Sequence, residues 1–124
     1  MIPERYAPTT YALMRIVFGF LWFFHGIAKF GAFGGQIPAF GTLVFTAGVL
    51  ETVLGVLIMI GLFTRPAAFL ASGQMAVAYW LRHNPQGLWP INNGGELAAL
   101  YCFGFLYIAT RGAGILSVDG SRRR

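Results

Sequence analysis

Polar residues recur along one stripe of the apolar stretch "RIVFGFLWFFHGIAKF" near the N-terminus. Steps of three and four along the chain place five residues on one face of a helix: Arg15, Phe18, Trp22, His25 and Lys29. A charge that faces lipid costs about 3 kcal/mol at the centre of a bilayer. We therefore expect this stripe to face neighbouring helices and to meet acidic residues there.

Two acidic residues lie in the other apolar stretches of the chain. Glu51 lies well inside the second stretch, and Glu96 begins the fourth. Helix side chains lean toward the N-terminus of their own helix, so His25 on an outward-running helix and Glu51 on an inward-running helix lean toward each other. A carboxylate beside an imidazole can exchange a proton, so His25 and Glu51 are the candidate catalytic residues.

Further side chains are expected around this pair. His83 ends the third apolar stretch and can dip toward the pair, while Glu96 leans outward toward Lys29 or Arg82. A small bound molecule would need a hydrogen-bond donor and an apolar surface beside it. The candidate ligand-binding residues are accordingly Lys29, Trp22, His83 and Glu96.

A purely structural role competes with this interpretation. Polar residues inside a membrane often hold helices together, at about 0.6 kcal/mol per hydrogen bond. Arg15 and Gln74, which is a midspan polar residue of the third stretch, fit such a role. Four titratable groups at one depth exceed what helix association requires, which favours a site at His25, Glu51, His83 and Glu96.

The composition excludes an ordinary soluble domain. Of the 124 residues, 56% are hydrophobic and 10% are charged, against a charged fraction of about 25% in soluble proteins. About 20 apolar residues are needed for a helix to cross the hydrocarbon core of a bilayer. The sequence therefore predicts one all-α domain over residues 1–124, an integral membrane four-helix bundle with spans at about 10–30, 42–62, 66–83 and 95–111.

The short connection "GLFTRP" predicts that the second and third spans are antiparallel neighbours. Gly61 is placed to end one helix, Thr64 to cap the next, and Pro66 to lie in its first turn. The two longer connections, "GAFGGQIPAFG" and "RHNPQGLWPINNGG", are rich in Gly, Pro and Asn and are expected to be irregular. Both must lie on the other side of the membrane.

The distribution of arginine predicts the orientation. Lys and Arg near helix ends resist translocation, and most of the basic residues fall on the side of the termini: Arg5, Arg65, Arg111, Arg122, Arg123 and Arg124. Both termini are therefore expected in the cytoplasm of a multi-pass protein of the bacterial inner membrane. The net charge of +5 then indicates contact with the lipid bilayer, and no nucleic-acid partner is expected because the basic residues are dispersed.

Redox chemistry within the chain itself is not expected. Cys102 is the single cysteine, so no disulfide or CxxC pair can form within the chain, and packing is its expected role. No metal site is predicted, and haem would require His25 and His83 as its two axial ligands. No covalently bound cofactor is expected, and any redox centre would lie in a partner subunit.

Three segments of the chain resemble the DoxX family of small four-helix bacterial membrane proteins. The first is the pattern Arg15, Gly19, His25, Gly26 and Lys29. The second is "GVLETVLGVLIMIGLFTRPAA", and the third is "GGEL", which contains Glu96. The resemblance covers nearly the whole chain. It implies a four-helix inner-membrane protein related to a subunit of a terminal quinol oxidase and thiosulfate:quinone oxidoreductase.

The resemblance implies a quinone-associated or accessory subunit of a membrane oxidoreductase system. A quinone carbonyl would accept a hydrogen bond from His25 or Lys29, Glu51 would exchange the proton, and Trp22 and Phe18 would pack against the ring or tail. Two other classes stay open, namely a non-catalytic assembly or scaffold protein and a small-solute or proton pathway. A homo-oligomer and catalysis by the chain alone also stay open.

Overall fold

The all-α prediction is confirmed. A computed structural model describes residues 1–32, 34, 36–83, 87, 89–90 and 94–122, without the side chains of Arg82 and His83, and this part of the chain contains no strand. Its helices are α1 (Ala7–Ala28), α2 (Leu43–Ile60), α3 (Thr64–Ala78), α4 (Glu96–Arg111) and α5 (Val118–Arg122). A 3-10 turn, Glu4–Tyr6, precedes α1, and a π-helical turn, Tyr79–His83, follows α3.

The four predicted spans correspond to α1 to α4, but only some of these helices are long enough to cross a bilayer. Two described helices satisfy length and composition, namely α1 with its preceding turn and α2. The α4 helix has 16 residues, which at about 1.5 Å per residue falls short of about 30 Å of hydrocarbon. The 15 residues of α3 continue directly into the π-helical turn that ends at His83. Residues 84–86, 88 and 91–93 of the connection at 82–95 lie outside the described part of the chain.

The hairpin between α2 and α3 is formed by a glycine and by a residue from the far end of the chain. Gly61 ends α2 in the left-handed conformation (φ 74°), as predicted. Thr64 was wrongly predicted as the cap of α3, because it is already the first residue of that helix and Phe63 precedes it without a side-chain cap. The Asp119 carboxylate accepts from Phe63 N at 3.1 Å and from Thr64 N at 2.9 Å instead.

Glycines bring α1 and α2 into direct backbone contact. A Cβ atom on Gly19 would lie 2.6 Å from Met59 N and 2.7 Å from Gly55 O. One on Gly26 would lie 2.6 Å from Thr52 N. Since real Cβ atoms do not approach backbone so closely, α1 and α2 pack at this distance only because glycines lie between them.

The α1 and α4 helices meet through aromatic rings. Phe18 lies edge-on to Tyr101 and Phe105, with ring centroids 5.7 and 5.9 Å apart. The Trp22 ring lies 4.9 Å from the Phe105 ring. Trp22 and Phe105 are fully buried, so this row of rings forms the centre of the core and holds the polar stripe of α1 against the other helices.

Candidate functional site

A buried carboxylate on α2 makes an ion pair with a lysine of α1. Glu51 is 3% exposed, and its Oε2 lies 2.7 Å from Lys29 Nζ, while the Lys29 side chain is 30% exposed. Gly26 packs directly on the backbone at Glu51 and Thr52, so the close approach of the two helices removes the carboxylate from solvent. The pair thus joins a buried acid to a partly accessible base.

Side chains on the antiparallel helices α1 and α2 lean toward each other as predicted. The partner that reaches Glu51 is Lys29, whereas His25 was expected. Lys29 lies one helical turn beyond His25, and its longer side chain reaches back to the carboxylate. Glu96 was expected to lean toward Lys29 or Arg82; Lys29 pairs with Glu51 instead, and the Arg82 side chain lies outside the described part of the chain. We call His25, Lys29 and Glu51 the Glu51 site.

The stripe faces the neighbouring helices as predicted, but His25 is exposed, so it lies at the edge of that face and is not buried within it. Gly26 takes the buried position instead, since the contact with α2 requires a residue without a side chain there. The His25 ring remains beside the core, edge-on to Tyr101 with centroids 6.0 Å apart. Coupling between His25 and Glu51 stays a prediction.

Two buried polar atoms near the core lack hydrogen-bond partners among the described residues. Trp22 is 0% exposed and its Nε1 has no acceptor, and Gln74 Oε1 on α3 has no donor. Trp22 lies on the same stripe of α1 as Lys29, two turns away. Its N–H is therefore an unused donor inside the bundle.

The remaining predicted ligand residues lie at the same end of the bundle. Glu96 is the first residue of α4 and is exposed. His83 ends the π-helical turn after α3, and its side chain, like that of Arg82, lies outside the described part of the chain. The ligand-binding roles of His83 and Glu96 stay predictions.

Arg15 lies at the other end of the bundle and bonds only to backbone carbonyls among the described residues. It is 0% exposed. Nη1 donates to Ile58 O and Met59 O, both at 2.8 Å. Nη2 donates to Leu116 O at 2.7 Å and to Ile115 O at 3.3 Å. These contacts join α1, the C-terminal end of α2 and the segment after α4, and they are the contacts that a structural role requires.

Other side chains complete this end of the molecule, and sequence reasoning missed most of them. Tyr11 Oη donates to Gly112 O at 2.6 Å. The Arg65 guanidinium donates to Ala109 O, Thr110 O and Arg111 O at the end of α4. Arg65, which the sequence analysis used to predict the orientation, therefore also caps the C-terminus of α4. We call Arg15, Tyr11, Arg65 and Asp119 the tail cluster.

One feature of the sequence could have indicated that Asp119 caps a helix. It is the only acidic residue after Glu96, so no other carboxylate of the C-terminal segment was available to cap a helix. Tyr101 likewise lies four residues before Phe105, a spacing that places two aromatic rings on one face of α4. Those rings stack with centroids 5.5 Å apart.

Comparison with known proteins bears on the segment that carries both the Glu51 site and Arg15. The DoxX family pattern matches residues 10–84. This protein belongs to the DoxX family. The resemblance noted in the sequence is thereby confirmed, and family membership together with the two long apolar helices indicates a membrane protein.

A relative of this DoxX protein occurs in Haemophilus influenzae. The two sequences are 42% identical over 124 residues, covering 94% of this chain and 92% of the relative, which is described as an uncharacterized protein. No solved structure matches the chain. Within the described residues no group of three His, Cys, Asp or Glu side chains could hold a metal ion.

Proposed function

We propose that this DoxX protein is a multi-pass inner-membrane protein that binds a quinone headgroup at the Glu51 site, as an accessory subunit of a membrane oxidoreductase system. The observation that carries the proposal is the Lys29–Glu51 ion pair, in which a carboxylate 3% exposed meets a lysine that is 30% exposed. Buried titratable pairs of this kind are concentrated at functional sites.

The chemistry of the site suits a redox-active carbonyl. Lys29 has three donors and can bind a carbonyl oxygen while it remains near Glu51. His25 is exposed and can pass protons between solvent and the buried pair. The unused N–H of Trp22 is a further donor for a polar edge of the ligand, and the electrons would pass to a redox centre in a partner subunit.

Quinone content after purification tests the proposal. The full chain is purified in a mild detergent, and extracted quinone is quantified per protein. We expect wild-type protein to retain quinone and Glu51→Gln to lose most of it, because the amide cannot accept a proton or pair with Lys29. Glu4→Gln is the matched control, since Glu4 is exposed and lies in the turn before α1.

A non-catalytic scaffold is the second candidate. It is favoured by the direct contact of Lys29 with Glu51 at 2.7 Å, because a carboxylate that is already paired needs no ligand. In that case the quinone content would be no higher than that of an unrelated membrane protein purified in the same way, and Glu51→Gln would act only on stability. The predicted orientation is tested separately with reporter fusions. A cytoplasmic location of the 82–95 connection would contradict it.

A further inference from the structure

The contact between α1 and α4 is closed at one level and open two helical turns further along. At the closed level, the Phe18 ring occupies the space that a Cβ on Gly104 would fill. Residues seven apart share a face of a helix, so His25 continues the face of Phe18 and Leu97 continues the face of Gly104. Both His25 and Leu97 are nevertheless exposed, so α1 and α4 separate toward the end that holds the Glu51 site. We call this opening between His25 and Leu97 the α1–α4 cleft.

The Tyr101 hydroxyl is an unused donor at the level where the cleft begins. Tyr101 is 5% exposed, and its ring contacts the rings of Phe18 and His25 at centroid distances of 5.7 and 6.0 Å. Its oxygen makes no hydrogen bond within the described residues, yet it is not fully enclosed, in contrast to Trp22 Nε1. A buried side chain thus presents a reachable hydroxyl, to which an acceptor can bond without a rearrangement of the bundle.

The cleft borders the Glu51 site. Glu51 lies within electrostatic range of Tyr101 as well as of His25 and Lys29, so groups from α1, α2 and α4 surround one space. Lys29 Nζ already lies 2.7 Å from Glu51 Oε2, whereas Tyr101 and His25 make no hydrogen bond through their side chains in the described part of the chain. These two residues can therefore donate to a ligand while the ion pair remains intact.

The edges of the cleft are apolar. Leu21 lies one turn before His25 and Leu97 one turn before Tyr101, and the two leucines are 46% and 49% exposed. In a membrane protein, exposed apolar side chains of this kind contact the lipid tails. The cleft is thus open sideways, and a molecule that reaches it from the bilayer needs an apolar part and a headgroup that accepts hydrogen bonds.

We propose that a ligand dissolved in the bilayer enters the Glu51 site laterally through the α1–α4 cleft, and that the Tyr101 hydroxyl donates a hydrogen bond to a carbonyl oxygen of its headgroup. His25 donates to the same headgroup from the edge of the cleft, and the apolar tail lies beside Leu21 and Leu97 among the lipid chains. The assignment rests on the quinone function proposed above, to which it adds a route of entry and a binding residue from α4.

Labelling from the two phases tests the route of entry without any quinone. The full chain in phosphatidylcholine vesicles is exposed either to an alkyl diazirine dissolved in the bilayer, which inserts into O–H bonds on illumination, or to hydroxyl radicals generated in water. Mass spectrometry maps the modified residues. We expect the diazirine to label Tyr101 and the radicals to spare it, while exposed Tyr6, in the turn before α1, is oxidised. Oxidation of Tyr101, or absence of the diazirine label from it, would contradict lateral entry.

Tyr101→Phe tests the binding residue. The substitution removes the hydroxyl alone and keeps the ring that stacks on Phe105 with centroids 5.5 Å apart, so Tm in detergent should be unchanged. The Kd for a decyl-tailed benzoquinone, measured by calorimetric titration, should rise several-fold because the carbonyl loses a donor. Tyr107→Phe is the matched control, since Tyr107 is 52% exposed on the same helix and contacts Tyr11 instead. An unchanged Kd in Tyr101→Phe would overturn the contact.

These measurements separate the failure of this proposal from that of the quinone function. If wild-type protein binds the benzoquinone and Tyr101→Phe binds it equally well, the function stands and Tyr101 is not a binding residue. If wild-type protein binds no benzoquinone, the function and the carbonyl contact of Tyr101 are both wrong. Lateral entry is decided in either case by the labelling, which requires no bound quinone.

Discussion

The two ends of the bundle hold buried charge in different ways. In the tail cluster, the Arg15 guanidinium is fully buried and donates to the carbonyls of Ile58, Met59, Ile115 and Leu116. At the Glu51 site, a buried carboxylate meets a partly exposed lysine, and an exposed histidine lies on the same helix end. One end uses fixed backbone dipoles and the other uses a second titratable side chain.

This difference supports a structural role for Arg15 and the role proposed for the Glu51 site. An arginine remains protonated under all ordinary conditions, and the carbonyls that it contacts are part of the folded backbone, so the tail cluster has one state. At the Glu51 site the partner of the carboxylate is a lysine side chain and not the backbone, so this contact can rearrange without unfolding a helix. Chemistry is therefore expected at the Glu51 site and rigidity at the tail cluster.

Removal of the Arg15 side chain should have the largest effect on stability. Arg15→Leu removes the donor to Met59 O, Ile115 O and Leu116 O, whereas Ile58 O still accepts from Gly61 N. We expect a loss of about 3 kcal/mol or more in the free energy of unfolding. Quinone content should be unchanged. Thermal and denaturant unfolding in detergent measure the effect, and Arg5→Leu at an exposed position is the control, expected within about 0.5 kcal/mol of wild type. Loss of quinone at unchanged stability would instead move Arg15 into the functional site.

A methyl group at the α1–α2 contact should have the next largest effect. Gly19→Ala would place Cβ 2.6 Å from Met59 N, and we expect a loss of about 1–3 kcal/mol as the helices separate. Gly73→Ala is the matched control, because a Cβ there meets nothing within 4 Å, and it should stabilise α3 by about 0.5–1 kcal/mol. Equal effects of the two substitutions would show that the close approach does not limit stability.

Two double-mutant cycles at the Glu51 site compare its possible partners. The cycle of Lys29→Met with Glu51→Leu should give a coupling energy of about 1–3 kcal/mol, because either single change leaves a buried or partly buried charge uncompensated. The cycle of His25→Leu with Glu51→Leu should also be non-additive, through the shared proton. Strictly additive effects in the second cycle would remove His25 from the site, and full activity of that double mutant would reduce the site to helix association.

Loss of the cap on α3 should have the smallest effect. Asp119→Ala removes the acceptor for Phe63 N and Thr64 N, and we expect a loss of about 1 kcal/mol. Asp119→Asn keeps one oxygen acceptor and should lose less. An effect of Asp119→Ala that exceeds that of Arg15→Leu would reverse the ranking of contacts within the tail cluster.

The positions of the helices could be predicted from the sequence, whereas the contacts between distant segments could not. Apolar periodicity located α1 to α4, and the glycine at position 61 located the end of α2. The lean of side chains predicted a pair of His25 with Glu51, whereas the ion pair that forms joins Lys29 to Glu51. The choice between the two bases depends on the rotation of α1, which Gly26 sets by packing on Thr52.

The tail cluster was the least predictable part of the molecule. Its contacts join residues that are far apart in the chain, such as Arg15 with Leu116 and Thr64 with Asp119. Nothing in the local pattern of "GAGILSVDGSR" indicates that its carbonyls and its single carboxylate return to α1 and α3. Helix amphipathicity also could not show that His25 would be exposed while its ring still contacts Tyr101, since the width of the buried face depends on how closely the neighbouring helix approaches.

The partners of Arg15 have a consequence for the order of synthesis. Ile58 and Met59 are translated soon after α1, but Ile115 and Leu116 follow Arg15 by 100 and 101 residues. Because N-terminal segments fold while the rest of a chain is still being made, the first helical hairpin must exist for a time with its guanidinium only half bonded. The segment after α4 supplies the remaining two carbonyls, so a nascent chain that stops at the end of α4 keeps an incompletely bonded cation between α1 and α2.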